Sequence, residues 1–85
     1  MPLFLLSPVD RHASDWALST TNEPVQIEAE TEQRARVRAS HFFARRNTGR
    51  HHGHPPWEQR HLVIARVIDK PDPAVRLILA GDTPP

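Results

Sequence analysis

The spacing of apolar and polar positions along this chain changes period once, around residue 30. Before that point Val25, Ile27 and Ala29 alternate with Gln26, Glu28 and Glu30, the period of two of a half-buried strand over residues 25–29. Beyond it Ala35, Ala39, Phe42 and Phe43 fall at i, i+4, i+7 and i+8, one apolar stripe of a helix over residues 32–46. Thr31 is placed to cap that helix, because its hydroxyl can accept a bond from an unpaired first-turn amide. Glu30 and Glu32 stand at the positive end of the helix dipole, and Arg45 and Arg46 at the negative end. Asn47 and Gly49 supply the stop.

The remaining apolar runs read as strands. Residues 3–7 form a first strand, which Pro8 either ends or places at a sheet edge. Residues 10–23 are a long polar connection with a helical turn over residues 12–18, where Trp16 and Leu18 anchor onto the core. After the helix, residues 47–60 carry Asn-Thr-Gly, His-His-Gly-His and Pro-Pro-Trp in succession, the signals of a mobile loop. Residues 61–69 are the clearest strand: Leu62, Ile64 and Ile68 point one way, Val63, Ala65 and Val67 the other, and only Arg66 interrupts. A strand apolar on both sides belongs at the centre of a sheet or under two covering layers. Pro71 and Pro73 mark a turn over residues 70–74, residues 75–80 form the last strand, and residues 81–85 a flexible tail.

The order β-β-α-β-β predicts an α+β fold, a two-layer sandwich of a four-stranded mixed sheet with one helix on one face. The last two strands are expected as an antiparallel hairpin. If the strands flanking the helix share the sheet in parallel, their crossover is right-handed. One helix covers one side of such a sheet. The other side then needs a cover, either the 10–23 connection with Trp16 as its lid or a second copy in a twofold dimer.

Composition narrows the setting. Eighty-five residues make one domain. A chain of that size buries only about 60–65% of its unfolded surface, so its core is small. No cysteine is present, which removes disulfides and thiolate metal ligands and is compatible with a cytoplasmic protein. The apolar run Leu3–Leu6 is too short for a membrane span, and no basic residue precedes it as in a targeting signal.

Charge is distributed unevenly. Residues 1–33 carry a net −5, residues 34–66 a net +7 and residues 67–85 a net −1, with ten arginines against a single lysine in the whole chain. Arg34, Arg38, His41 and Arg45 fall on one line of the helix, extended by Arg46 and Arg50. Guanidinium groups so spaced suit the phosphates of a nucleic acid. The same residues also suit a solvated face in which Glu30 pairs with Arg34 and Glu32 with Arg36 at i, i+4. His51, His52 and His54 stand close enough in sequence for three imidazoles to hold a metal ion, with His61 following. The missing cysteines and the neighbouring arginines Arg46, Arg50 and Arg60 oppose a cation there.

No nucleophile elbow, phosphate loop, dinucleotide fingerprint or zinc-protease motif occurs in the chain. The expectation is therefore a small non-enzymatic interaction module without a cofactor, acting through a homodimer or a protein partner. Nucleic-acid binding by the arginine line and metal binding by the histidine run are the alternatives.

Overall fold

The computed structural model describes residues 1–44 and 55–84. Four strands make one mixed sheet: β1 (Leu3–Pro8), β2 (Val25–Glu28), β3 (Val63–Ile68) and β4 (Arg76–Ile78), in the order β3-β1-β2-β4. β1 pairs antiparallel with both β2 and β3, and β2 pairs parallel with β4. The helix α1 (Glu32–Phe42) lies on one face. The fold is α+β, with the element order the hydrophobic pattern predicts.

Local chemistry sets the ends of α1. The Thr31 Oγ1 accepts the Arg34 N–H at 3.1 Å, the expected cap. The helix ends at Phe42, short of the expected residue 46. The Phe43 carbonyl accepts the Thr20 N–H at 2.7 Å and Ala44 bridges to Ser19, so the chain is recruited into contact with the first long connection instead of continuing the helix. Ala35 and Ala39 are fully buried against the sheet, and their small side chains let the helix approach closely. Glu32 pairs with Arg36 at 3.2 Å, as the i, i+4 spacing predicts. Arg36 itself is buried.

The core lies between this helix and one face of the sheet. Phe4 and Leu6 of β1, Val25 and Ile27 of β2, Val63 of β3 and Ile78 of β4 all point into it. Two short 3-10 turns, Ser14–Leu18 and Pro56–Glu58, extend the helical layer. Each delivers a tryptophan. Trp16 meets Trp57 edge to face at 5.2 Å, and Trp57 packs on Phe43 at 5.5 Å. Their indole N–H groups are satisfied, Trp16 by the Asp10 carbonyl at 2.7 Å and Trp57 by the Ser19 hydroxyl at 3.0 Å.

Several expectations need correction. Phe43 is buried, but Phe42 is only half-buried and lies under the Arg38 guanidinium. The expected mobile loop over residues 47–60 falls mostly outside the described residues. Its described end is anchored, because Trp57 is 1% exposed and is one of the largest core side chains. Of the two readings of Pro8, the first holds: it ends the first strand, which is central in the sheet and not at its edge. Pro8 is its last residue, two beyond the final β1–β2 pair Leu6↔Val25, so on that side no strand asks for the missing N–H.

β3, read as central, is an edge strand. The last two strands do not form a hairpin either; they sit at opposite edges of the sheet. Residues 69–75 must therefore cross three strand spacings, about 14 Å. Seven residues reach more than 20 Å when extended, so the span is within range. The crossing runs over the face opposite α1, and Gln26 fixes it there. Gln26 is fully buried on that face. Its Nε2 donates to the carbonyls of Asp72 at 2.9 Å and Val75 at 3.0 Å, while its Oε1 accepts the Asp72 N–H at 2.6 Å. Trp16 is thus no lid: it belongs to the helix-side core, and the strap over the second face is the two-proline segment.

Candidate interaction surface

The strap leaves part of the second face uncovered. Inward and outward positions alternate along each strand, so Leu3 and Leu5 of β1, Ile64, Arg66 and Ile68 of β3, and Leu77 of β4 share this face. Ile64 is 52% exposed, and Leu77 and Leu79 are exposed too. A groove of about 400 Å3 runs beside the strap, lined by Leu3, Glu28, Ile68, Pro71, Leu77 and Leu79 among others.

β3 borders this face and offers a second kind of surface, its main chain. Antiparallel pairing makes alternate residues aim their N–H and C=O groups at one neighbour. The Val9 N–H donates to the Leu62 carbonyl at 3.0 Å, which fixes the phase. Leu62, Ile64, Arg66 and Ile68 face β1. Val63, Ala65 and Val67 turn their main-chain groups outward. The Val63 N–H is already taken by the Gln59 carbonyl at 3.1 Å. Ala65 and Val67 keep both groups available, and among the described residues no strand pairs with that side. The strand holds six residues without proline or lysine, and Val67 at its outer end is 62% exposed. Natural edges usually carry such residues to prevent pairing.

The opposite edge is short, and the chain is tied down just beyond its end. β4 has three residues. Around it the Leu79 N–H donates to Asp82 Oδ2 at 2.8 Å and the Ala80 N–H to Glu28 Oε1 at 3.1 Å. The Arg38 guanidinium caps the corner, donating to the carbonyls of Glu28 at 2.8 Å, Leu79 at 3.0 Å and Asp82 at 2.8 Å. The tail, at least as far as Asp82, is tied to the helix in this way.

This geometry bears on the basic line. Arg34 and His41 are exposed on α1, as the helical spacing implies. Arg38 between them is partly buried and turns its N–H groups inward onto three carbonyls, a use that helical spacing alone does not reveal. Arg45, Arg46 and Arg50 of the expected basic line, and the histidine run His51, His52 and His54, lie outside the described residues. His61 is exposed. Among the described residues no three histidine, aspartate or glutamate side chains converge as a metal ion would require, and no helix is long and apolar enough to cross a membrane.

Ala65 and Val67 were not foreseen as surface-forming residues. The sequence carried a signal for them, a strand apolar on both sides and free of proline, but that signal also fits a central strand. No family model, curated protein or solved structure matches this chain.

Proposed function

We propose that this chain is a small non-enzymatic binding module that docks another protein chain along β3 and the apolar strip beside it. The supporting observation is the conjunction on one border of outward main-chain groups at Ala65 and Val67 with the exposed side chains of Ile64 and Val67. An added strand takes its affinity from main-chain hydrogen bonds and its specificity from alternate side chains, and β3 presents both. The groove between Leu3, Ile68 and Leu77 lies next to this border and would receive apolar side chains of the docked chain.

A photoreactive amino acid at Val67 tests this reading. Irradiated in cells that make the chain, it should yield covalent adducts with protein. The same group at Gln33, exposed on the far side of α1, should not. Absence of any protein adduct at Val67 would end the proposal.

A further inference from the structure

We infer that the partner at β3 is a second copy of this chain, paired edge to edge about a twofold axis that passes through Ala65. The inference rests on the reading of β3 as a docking edge and names its occupant.

Symmetry restricts the possibilities sharply. Two β3 strands that extend one sheet across a twofold axis run antiparallel, and the axis stands perpendicular to the sheet. Both helical layers then lie on the same side. Side chains directly opposite must belong to the same face, so a residue, and not a gap between residues, sits on the axis. Within β3 the central choices are Ile64, Ala65, Arg66 and Val67.

Charge and hydrogen bonding separate them. With Arg66 on the axis, two guanidinium groups would stand directly opposite each other at a close, non-hydrogen-bonded position, and like charges so placed are destabilising. With Val67 on the axis, only residues 66–68 of the strand remain paired. With Ile64 on the axis the ladder shrinks to residues 63–65 and asks for the Val63 N–H, which already donates to Gln59.

With Ala65 on the axis no like charges meet, and more of the available main-chain groups are used than with Ile64 or Val67 there. Residues 63–67 pair over five positions. Ala65 exchanges both main-chain bonds with its own copy. The Val67 N–H of each chain donates to the Val63 carbonyl of the other; the reverse bond of that pair is not formed, because the Val63 N–H stays with Gln59. Four intermolecular hydrogen bonds form from the groups that β3 leaves outward. Ile64 then faces the Arg66 of the other chain, whose aliphatic stem covers an isoleucine that is otherwise 52% exposed. Val63 faces Val67, the more exposed of the strand's two large exposed apolar side chains. The outcome is an eight-stranded sheet in which Val63, Ala65 and Val67 of the two chains meet across the join. An interface of two short strands belongs to the small class, so the association is micromolar and not nanomolar.

The test uses the absence of cysteine from the chain, which makes any introduced thiol the sole one. Ile64→Cys and Arg66→Cys variants are mixed and oxidised. Disulfide-linked mixed dimers should form faster than dimers of either variant alone. Faster linkage of Arg66→Cys with itself would place the axis at Arg66 and overturn the inference. Sedimentation equilibrium of the unmodified protein should show mass rising from 9.7 kDa toward twice that value with concentration. Val67→Pro, which removes an outward donor without touching the β1 ladder, should stay at the monomer mass. A single monomer mass for the unmodified protein up to millimolar concentration would refute self-pairing. If Val67 nevertheless crosslinks to other proteins, the docking edge stands and only its occupant is wrong; if it crosslinks to nothing, both fail.

Discussion

β3 and β4 border the same sheet on opposite sides, and the chain treats their main chains differently. Around β4 the neighbouring N–H and C=O groups are consumed locally: Asp82 and Glu28 accept two amides, and Arg38 donates to three carbonyls. Around β3, among the described residues, the only such closure is at its first residue, where Gln59 accepts the Val63 N–H. Unpaired edges can template aggregation, and among the described residues side chains tie down the main chain just past β4 but not that of β3. The contrast supports β3 as the border kept free for another chain.

The largest expected effect comes from removing what holds the β3 border in place. Trp57 sits in the 3-10 turn that leads into β3 and packs on Trp16 and Phe43. Trp57→Ala should cost about 3–5 kcal/mol, a large part of the stability of so small a domain, read as a fall in the denaturation midpoint. A variant that unfolds like the parent would mean that the aromatic cluster does not support this side of the sheet.

Next is the strap. Gln26→Leu removes three hydrogen bonds at a fully buried site and strands the main-chain groups of Asp72. The loss should be about 1–3 kcal/mol, with faster amide exchange at Asp72. Unchanged exchange there would show that the two prolines alone hold the crossing. Loosening the tie just beyond β4 is the corresponding test on the other side. Arg38→Ala should raise amide exchange at Leu79 and Ala80 and cost roughly 1–2 kcal/mol, since the guanidinium is only partly buried. It should leave the sedimentation behaviour unaltered, and new self-association through a loosened β4 edge would sharpen the contrast further.

The smallest change in stability belongs to β3 itself. Val67→Lys replaces an exposed apolar side chain with the residue that natural edges use for protection. Its stability should remain within about 0.5 kcal/mol of the parent, while association is lost. Equal association in this variant would point to the groove instead of the strand edge as the contact.

The parts of this fold visible in the sequence are those governed by local period. The Thr31 cap, the alternation of Val25 and Ile27 against Gln26, and the Ala35–Ala39–Phe43 stripe follow from spacing within ten residues or so. Strand order does not. Whether β3 is central or at an edge depends on where β1 and β4 pair, and a strand apolar on both sides fits either place. Gln26 looked like the outward member of an alternating strand; its burial depends on a segment 46 residues away. Trp57 was legible by the reasoning that placed Trp16 in the core, a large aromatic among polar residues, but the glycines and prolines before it spoke for a loop. At the candidate surface, side-chain identity was readable while main-chain availability was not, because the phase of the β1–β3 ladder decides which amides face outward.

Amide exchange within β3, followed by NMR across protein concentration, tests the central claim most directly. In dilute solution the amides of Ile64 and Arg66, turned toward β1, should be protected, and those of Ala65 and Val67 should exchange at rates near those of exposed main chain. As concentration rises into the association range, Ala65 and Val67 should gain protection while Leu79 and Ala80, tied down just beyond β4, stay as they were. Protection of Ala65 and Val67 equal to that of Ile64 and Arg66 at every concentration would show that β3 is already covered within a single chain, and would contradict the account.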